Sequence, residues 1–511
     1  MKKLSRLLVL FLAIAMLFAL AACGSGNAGK NKSDKSVTVG IASNYYYFNP
    51  MGGSESDAIA NGMLYNTLFQ IDQNGKYYSP VSDDWGWEDD TTLRITIKDG
   101  IYFSDGSKMT ANDVLATMRF AQECGSQRAG LWNGVIDFDS TYVTDDGMTI
   151  YIKYYDVYGA ALSEMCIELL SGDFVSSHPD GDDVWWKGPV GSGPYKVKEL
   201  VNGSYITYEL RDDYWDKSKN YECKELTVRY YSDSTTMWVD YQNGVIDVAL
   251  DLNDEQVKAL ESGQVKGTLV KKNTHNVPCL VMYEDNQYLS DINVRKAMSY
   301  ALDFAAVGDM AWGSLQSPAT SHFADTLGCY TNYSGYFTYD PEEAKRILKE
   351  AGYDEGEITL SYVAVNVADE VAVMEAIQGY LSAVGINVEC SSLDLNSALQ
   401  YYFGGGNDLA LLTTRGANYQ REPRLNATIN GIFVDRMMTH PEYVALLKEG
   451  LATHDYDSRM EAYKKVDKWL FENYWLFPIA QPQEALCFNE RIKSININNI
   501  GFECLGDITF N

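Results

Sequence analysis

The sequence predicts an α/β protein of several lobes. Strand-like alternation of apolar and polar residues recurs along the chain and is interleaved with helix-like apolar stripes. The chain has 511 residues, and 46% of them are hydrophobic, which is enough for substantial buried cores. This length predicts two to four domains or one large lobed unit.

Four segments alternate in the manner of half-buried strands. They cover residues 93–97, 148–152, 206–210 and 226–230. Three glycines near such strands, Gly100, Gly106 and Gly193, are predicted to lie in turns that require a positive φ, which glycine adopts without a steric penalty. Pro194 is predicted to fix the entry into a strand.

Three segments have the spacing of amphipathic helices. The first begins at a capping threonine and covers residues 110–125. The second covers 340–352, where Asp340 is the cap and Pro341 takes the first helical position. The third is predicted as one continuous helix over about 294–305.

The N-terminus predicts export. A basic start precedes an apolar run, residues 7–20, that is too short to span a bilayer, and small residues follow it. Leu20-Ala-Ala-Cys23 resembles the lipobox of bacterial lipoproteins, whose cysteine sulfur carries a diacylglycerol. The resemblance implies a signal peptide over 1–22, lipidation and palmitate at Cys23, and a flexible tether over 23–36. The alternative is an ordinary signal with a chance cysteine.

Charge and cysteine content exclude some functions. With 70 acidic and 41 basic residues, the net charge of −29 repels nucleic-acid phosphates, so we expect no nucleic-acid partner. It also repels anionic lipid, so membrane attachment would depend on the lipid on Cys23. The other cysteines contain no C-x-x-C pair, which argues against zinc or thioredoxin-like sites. Disulfides and buried free thiols are both compatible with their spacing.

Seven segments occur in the order of one protein family. They are Tyr65-Asn-Thr-Leu-Phe69; Ile97-Lys-Asp-Gly-Ile-Tyr-Phe-Ser-Asp-Gly106 with Met109-Thr-Ala-Asn-Asp-Val114; Gly191-Ser-Gly-Pro-Tyr195; Arg211-Asp-Asp-Tyr-Trp215; Asp291-Ile-Asn-Val-Arg-Lys-Ala-Met298 with Ala301-Leu-Asp303; Tyr339-Asp-Pro-Glu-Glu-Ala-Lys345 with Glu350-Ala-Gly-Tyr353; and Trp475-Leu-Phe-Pro478. Together they resemble the extracellular solute-binding proteins of family 5, the dipeptide and oligopeptide receptors of bacterial ABC importers.

The resemblance implies a two-lobed, periplasmic-binding-protein-like α/β clamp (type II, cluster C-like) with a hinge and an additional domain. By analogy, the first lobe comprises 37–71, 188–272 and 483–511, the additional domain 72–187, and the second lobe 273–482. The chain would cross between lobes near Thr274 and Pro482. A few crossing strands suit a hinge, because terminal residues can absorb the rotation.

The resemblance also implies the partners. We expect a monomer on the extracellular face of the bacterial cytoplasmic membrane that captures a small solute and delivers it to ABC permease and ATPase subunits. The solute would be a peptide, or an anionic or glycan ligand. No enzyme activity, cofactor, metal site or catalytic residue is implied.

One candidate binding element lies in the second lobe. Peptide-binding members carry a Trp-x-x-Asp pattern there, whose aspartate pairs with the peptide's amino group. In the corresponding stretch, 414–419, Arg415 takes the Trp position and Asn418 the Asp position. Asn418 can accept a hydrogen bond but brings no charge to a buried cation. If Arg415 faces the cleft, it favours an anionic or polyhydroxyl ligand; alternatively it pairs with a surface acid. Gly416 and Tyr419 complete the candidate contacts.

A second candidate element follows a further predicted strand, residues 37–41. Asn44, Tyr45, Tyr46 and Tyr47 border the cleft in the family, and tyrosines provide rigid stacking area with a polar tip. The chain has 37 tyrosines, so the alternative is that these are ordinary core or surface residues. Trp185-Trp186 is a weaker candidate, because a packed aromatic pair explains it equally well.

Two other functional classes remain open from the sequence. A secreted carbohydrate-active enzyme needs two carboxylates about 5–10 Å apart, and 70 acidic residues do not exclude such a pair. However, the chain has no H-E-x-x-H or G-x-S-x-G motif, and its five histidines lie far apart. A sensory receptor without a permease would bind its solute in the same way and differ only in its partner.

Overall fold

The computed structural model of the protein describes residues 35–43, 48–51, 58–72, 76–415, 440–497 and 504–511. The strands are β1 (Ser36–Ile41), β2 (Gln70–Ile71), β3 (Tyr77–Tyr78), β4 (Asp84–Asp89), β5 (Thr92–Thr96), β6 (Tyr142–Val143), β7 (Thr149–Lys153), β8 (Tyr195–Val201), β9 (Tyr205–Leu210), β10 (Glu225–Tyr230), β11 (Val248–Ala249), β12 (Thr268–Asn273), β13 (Asn276–Met282), β14 (Gln316–Pro318), β15 (Thr359–Val365), β16 (Asn387–Leu393), β17 (Leu409–Arg415), β18 (Leu476–Pro478), β19 (Ala480–Phe488), β20 (Ile492–Ile495) and β21 (Ile508–Phe510).

The helices lie between these strands. They are α1 (Ala58–Leu64), α2 (Ala111–Glu123), α3 (Gln127–Trp132), α4 (Ala161–Glu164), α5 (Gly172–Ser177), α6 (Ser234–Gln242), α7 (Asp254–Glu261), α8 (Ile292–Ala301), α9 (Phe304–Trp312), α10 (Pro341–Glu350), α11 (Ala368–Ser382), α12 (Leu395–Gly404), α13 (Pro441–Leu451) and α14 (Tyr456–Asn473), with a 3-10 turn at Asp183–Trp186.

Local signals in the sequence set several of these elements. The four predicted strands correspond to β5, β7, β9 and β10, each within one residue at either end. At the start of α2, the Thr110 backbone N–H donates to the Asp113 carboxylate at 2.7 Å. At the start of α10, the Asp340 carboxylate accepts from the Glu343 backbone N–H at 3.0 Å. These bonds satisfy amide groups that the first turn of a helix leaves without a partner.

The prediction of one continuous helix over 294–305 is wrong, because the chain forms two helices there. Leu302 is extended, with φ −103° and ψ 125°, so α8 ends at Ala301. The Asp303 carboxylate then accepts from the Ala306 N–H at 3.1 Å and caps α9. The break follows from this capping residue, which the apolar spacing alone does not reveal.

The glycine predictions are confirmed in part. Gly100 and Gly106 have φ values of 83° and 87°, as turns require. Gly193 is different, because its φ is not positive and it serves a close backbone approach instead. A Cβ on Gly193 would lie 2.4 Å from the Met63 carbonyl oxygen, so no larger residue fits. Directly after it, Pro194 precedes the start of β8, as predicted.

The largest sheet has the order β12-β19-β11-β1-β10-β9-β8, with β14 paired to β19. β1 is parallel to both β10 and β11. β19 is antiparallel to β11 and to β12, which it separates. Therefore β1, β10, β11 and β12 all run in the same direction.

A second sheet has the order β16-β15-β17-β13-β18. β15 is parallel to β16 and to β17, and α11 and α12 make the two connections between them. β13 is antiparallel to β17 and to β18. The chain adds β16 on one side of β15 and then crosses over to add β17 on the other, so the strand order reverses between β15 and β17. Such switch points are where α/β sheets commonly form a crevice.

A four-stranded antiparallel sheet, β4-β5-β7-β6, packs with the largest sheet around one continuous core. The buried Arg211 side chain also ties them together. Its guanidinium donates to the backbone oxygens of Gly191 (3.3 Å), Gly193 (3.2 Å), Tyr102 (3.2 Å) and Phe103 (3.0 Å). We refer to these two sheets and their shared core as the first body.

The second sheet has a core of its own, which includes Leu280, Leu360 and Phe477, and we refer to it as the second body. Separate cores joined by a few strands are the arrangement expected of two parts that rotate about a hinge. The α/β, two-lobed fold predicted from the sequence is confirmed. The residue bounds of the two lobes and of the additional domain stay a prediction.

Two further expectations concern membranes and thiols. Within the described part of the chain, no helix combines the length and apolar composition needed to cross a bilayer. The eight cysteines in the described ranges form no disulfide. Of the two possibilities left open by their spacing, the structure therefore has thiols.

Candidate ligand-binding cleft

The two bodies are joined by two passages of the chain. β12 of the first body leads into β13 of the second at residues 274–275, and β18 leads back into β19 at Ile479. The passages are bonded to each other, because the Thr274 N–H and hydroxyl both donate to the Pro482 carbonyl at 3.0 Å. The two crossing strands therefore act as one short connection.

A polar network stiffens this connection. Gln481 Nε2 donates to the Thr274 carbonyl at 2.9 Å and to the Asp325 carboxylate at 2.8 Å. The other Asp325 oxygen accepts from Asn273 Nδ2 at 2.8 Å. Asp325 thus binds both crossing strands at once. These bonds join groups on the two passages. A rotation of one body against the other therefore has to distort or break them.

The first body presents one edge of its sheet toward the second body. β1, β11 and β12 run in the same direction, and β12 enters the second body directly after its last residue. The carboxyl ends of β1 and β11 therefore lie at the edge from which the chain crosses. Ligands of open α/β sheets bind in the crevice outside the carboxyl ends of strands.

The second body presents a matching edge. Arg415, the last residue of β17, is paired with Asn276, the first residue of β13 after the crossing. Since β15 and β16 are parallel to β17, their carboxyl ends lie at the same edge. Both bodies therefore direct carboxyl ends of parallel strands at the crossing, and the space between these edges is the candidate cleft.

The sequence-predicted contacts flank these edges. Asn44, Tyr45, Tyr46 and Tyr47 follow the carboxyl end of β1, but they lie outside the described residues. The backbone of Arg415 ends β17, whereas its side chain is not described. Gly416, Asn418, Tyr419 and the lipidation candidate Cys23 also lie outside the described residues. Their contacts with a ligand stay a prediction.

Asp251 lies at the edge of the candidate cleft, and the sequence analysis did not single it out. It follows β11 by two residues, at the carboxyl edge of the first body, and it has a left-handed φ of 52°. Non-glycine residues rarely adopt this conformation, and such residues cluster at functional sites. The only signal in the sequence is an acid directly after the apolar run Val248-Ala-Leu250.

The surroundings of Asp251 shift its ionisation. The residue is exposed, yet neighbouring protein atoms crowd its carboxyl group. Desolvation is the main cause that raises its pKa to about 6, the Glu484 carboxylate adds to the rise, and Lys272 opposes it. Lys272 and Glu484 lie on β12 and β19 and form an ion pair at 3.1 Å. Asp251 therefore provides the cleft edge with a carboxylate that a cationic ligand group would stabilise.

Of two other sequence candidates, one has a structural role. Trp185 is fully buried, packs edge-on against Phe174 at 5.1 Å and stacks with Phe120 at 5.6 Å. Its neighbour Trp186 is exposed on the surface. The packed-aromatic alternative therefore explains Trp185 but not Trp186. Within the described ranges, no cluster of three or more His, Cys, Asp or Glu side chains is arranged to hold a metal ion.

Comparisons with known proteins agree with this architecture. Residues 78–444 match the profile of the bacterial extracellular solute-binding proteins, family 5 middle region. The glutathione-binding protein GsiB of Salmonella paratyphi A is 24% identical over 392 residues, which cover 75% of this chain and 74% of that protein. The nickel-binding protein NikA of Staphylococcus aureus is 23% identical over 386 residues, covering 75% of each chain.

Solved structures show the same fold. A putative peptide-binding protein AppA from Clostridium difficile superposes with a TM-score of 0.81 at 18% identity, covering 93% of this chain and 100% of that one. The family profile spans well over half of the chain, so the resemblance predicted from the seven sequence segments is confirmed. The chain belongs to the bacterial extracellular solute-binding proteins of family 5 and is a solute-binding protein, not an enzyme.

Proposed function

We propose that this protein is a lipid-anchored receptor of an ABC importer, which captures a small solute in the cleft and delivers it to the permease. The observation that carries this proposal is the meeting of carboxyl strand edges from two bodies with separate cores at one short crossing. A solute bound between the edges favours the closed form only through its additional contacts with the second body. Capture and closure are then the same event.

The names of the relatives support three classes of cargo, namely peptides, glutathione and nickel complexes. The chain's own residues favour one of these classes of cargo over the others. The Trp-x-x-Asp position of peptide receptors holds Asn418, so this loop provides no carboxylate for a peptide's amino group. Asp251, at the opposite edge, provides a carboxylate instead. With Arg415 as the anion-binding group, the cleft suits a zwitterionic solute such as a short peptide.

The proposed anchor is the diacylglycerol on Cys23, and residues 24–36 would serve as a tether to the first strand. Because several acyl chains are needed for stable anchoring, full lipoprotein processing is part of the proposal. The test is fractionation of cells that express the protein or its Cys23→Ala variant. We expect the variant in the soluble fraction; continued membrane association would reject the anchor.

The cargo is tested by native mass spectrometry of the protein purified without denaturant from rich medium. A series of added masses that match short peptides would support the peptide class, and one discrete non-peptide mass would identify another solute. Titration with reduced glutathione and with Ni²⁺ tests the two remaining classes. If no added mass is found and none of these probes binds, the proposed capture of small solutes is rejected.

The sensory alternative differs only in the partner. A genuine importer component stimulates ATP hydrolysis by its permease and ATPase in vesicles, whereas a sensory receptor does not. The carbohydrate-active enzyme alternative is not favoured, because the family is one of solute-binding proteins.

A further inference from the structure

The two bodies also contact each other away from the crossing strands. The loop between α13 and α14 lies against the four-stranded sheet of the first body. The Gly159 N–H donates to the Leu451 carbonyl at 2.7 Å, and His454 Nε2 donates to the Asp90 carbonyl at 2.9 Å. The imidazole of His454 stacks on Trp87, with ring centroids 3.7 Å apart and planes 20° apart. We call this set of interactions the docking contact.

Gly159 lies so close to the docked loop that a larger side chain has no space there. A Cβ at this position would lie 2.4 Å from the Thr453 carbonyl oxygen and 2.8 Å from the Gly450 carbonyl oxygen. Both atoms are backbone, so they cannot move without moving the loop. The φ of Gly159 is not positive, so alanine is compatible with its backbone conformation. An alanine would therefore be excluded by the docked loop and not by the fold of the first body.

The loop itself is held in shape by the second body. Arg459, which is 2% exposed, donates to the carbonyls of Thr453 at 3.3 Å and His454 at 3.0 Å. Asp455 caps α14 by accepting from the Ser458 N–H at 2.9 Å. Tyr456 packs against the cores of both bodies. The second body therefore holds the loop in a fixed shape, and the loop packs against the first body at Trp87, Asp90 and Gly159.

We propose that the docking contact is a latch that forms when the cleft closes and separates when it opens. The two bodies have separate cores, so a rotation about the crossing strands does not disrupt either core, but it must break the bonds at Gly159 and His454. The two hydrogen bonds, one ring stack and the packing of Tyr456 are together few enough to be reversible. The inference depends on the proposed hinge closure and is independent of the cargo.

The latch can be tested without a ligand by trapping the docked form. In the double variant Trp87→Cys, His454→Cys, we expect mild oxidation to form a disulfide between the introduced thiols. Peptide mapping identifies it, because the eight native cysteines in the described ranges form no disulfide of their own. Its rate of formation reports how often the contact forms. Failure to form the disulfide would overturn docking in solution.

Gly159→Ala, added to this double variant, should slow disulfide formation at least tenfold. The matched control is Gly130→Ala, since Gly130 has open space around its Cβ position and also lies in the predicted additional domain. Equal rates for Gly159→Ala and the control would overturn the role of Gly159. Hydrogen exchange of the core strands must be unchanged; exchange that rises throughout both cores would indicate a structural role and also overturn the latch.

Separation is tested by small-angle X-ray scattering of the same double variant. We expect the oxidised protein to have a smaller radius of gyration than the reduced protein, because the reduced protein opens. Equal radii would show that the bodies do not separate at this contact. A failure of cargo binding would leave these results unaffected, so the two proposals fail independently.

Discussion

The His322 imidazole and the Asp467 carboxylate form a pair that is closed off from water, with Nδ1 2.7 Å from Oδ1 and both side chains 0% exposed. The second ring nitrogen faces the Leu476 carbonyl at 3.0 Å, so both nitrogens lie against acceptors. The other Asp467 oxygen accepts from the Ser321 hydroxyl at 2.6 Å. The pair therefore joins the 321–323 segment, α14 and β18 in the core of the second body.

Asp467→Asn should destabilise the protein by about 3 kcal/mol, because breaking one partner of a buried pair leaves the other uncompensated. The measurement is urea unfolding followed by the fluorescence of the second body. Asp457→Asn, an exposed aspartate in the first turn of the same helix, serves as the control and should change stability by less than about 0.5 kcal/mol. Equal effects would contradict the assigned role.

Arg211→Met should destabilise the first body by about 3 kcal/mol or more. It removes the guanidinium donor from four backbone oxygens in a buried place. The oxygens of Gly191 and Phe103 keep the backbone N–H donors of Ser104 and Gly106, so the cost falls mainly on those of Gly193 and Tyr102. Arg346→Met is a suitable control, since this exposed arginine bonds only carboxylates of its own helix and should contribute less than about 1 kcal/mol. Chemical denaturation of both variants checks the difference.

Asp251→Asn should raise stability at pH 7.5 but not at pH 3.5. The folded carboxyl has a pKa of about 6 against an ordinary 3.8, so the folded state binds the proton more tightly than the unfolded chain. Stability is therefore lost as pH rises from about 4 to 6, and the full loss is present above that range. Allowing for solvent screening at an exposed residue, we expect a gain of about 1 kcal/mol.

Thermal unfolding at the two pH values separates this effect from backbone strain. Asparagine also tolerates the left-handed conformation better than most residues, but that contribution does not depend on pH. A gain of the same size at pH 3.5 and 7.5 would show that strain, and not ionisation, is responsible.

Asp325→Ala should loosen the crossing strands without unfolding either body. It removes the carboxylate that accepts from both Gln481 and Asn273, so the side chains of the two crossing strands lose their shared acceptor. We expect amide hydrogen exchange at residues 273–276 and 481–483 to accelerate at least fivefold. Asp139→Ala, an exposed substitution in the first body, should leave these rates unchanged. Acceleration in both cores would instead indicate general destabilisation.

Arg415→Ala should weaken binding of an anionic or zwitterionic solute by more than about 1 kcal/mol if the guanidinium contacts the anionic group. Isothermal titration with the solute identified by native mass spectrometry measures the change. Arg119→Ala, an exposed arginine on α2, is the control. Unchanged affinity in the Arg415 variant would place the guanidinium outside the site.

The sequence was sufficient for those parts of the fold that local signals determine. α10 begins where Asp340 and Pro341 place it, and β9 and β10 follow their alternation. The break between α8 and α9 depends on a single capping bond at Asp303. The apolar stripe continues across this position and therefore does not indicate the break. The close approach at Gly193 depends on Met63, more than a hundred residues away along the chain.

The candidate cleft was predictable only in outline. The resemblance located the loops after β1 and β17, but Asp251 has its left-handed backbone at the point where the chain changes partners. The Leu250 N–H donates to the Gly40 carbonyl of β1 at 3.0 Å, and the Leu252 N–H donates to the Ala485 carbonyl of β19 at 2.9 Å. The second of these partners lies on β19, far away in sequence. A pattern within β11 therefore had no means of indicating it.

The position of β19 also determines the order in which the protein can be completed. This strand lies between β11 and β12, yet it is synthesised more than two hundred residues after them. Until β19 is synthesised, β12 has no neighbour in its sheet, and the sheet of the first body has an open edge. The second body, whose last strand β18 precedes β19, can already fold. Such long-range pairing slows folding. Assembly of this sheet thus finishes with the insertion of β19, and loss of residues 480–488 would leave β12 without a neighbouring strand and β11 paired only with β1.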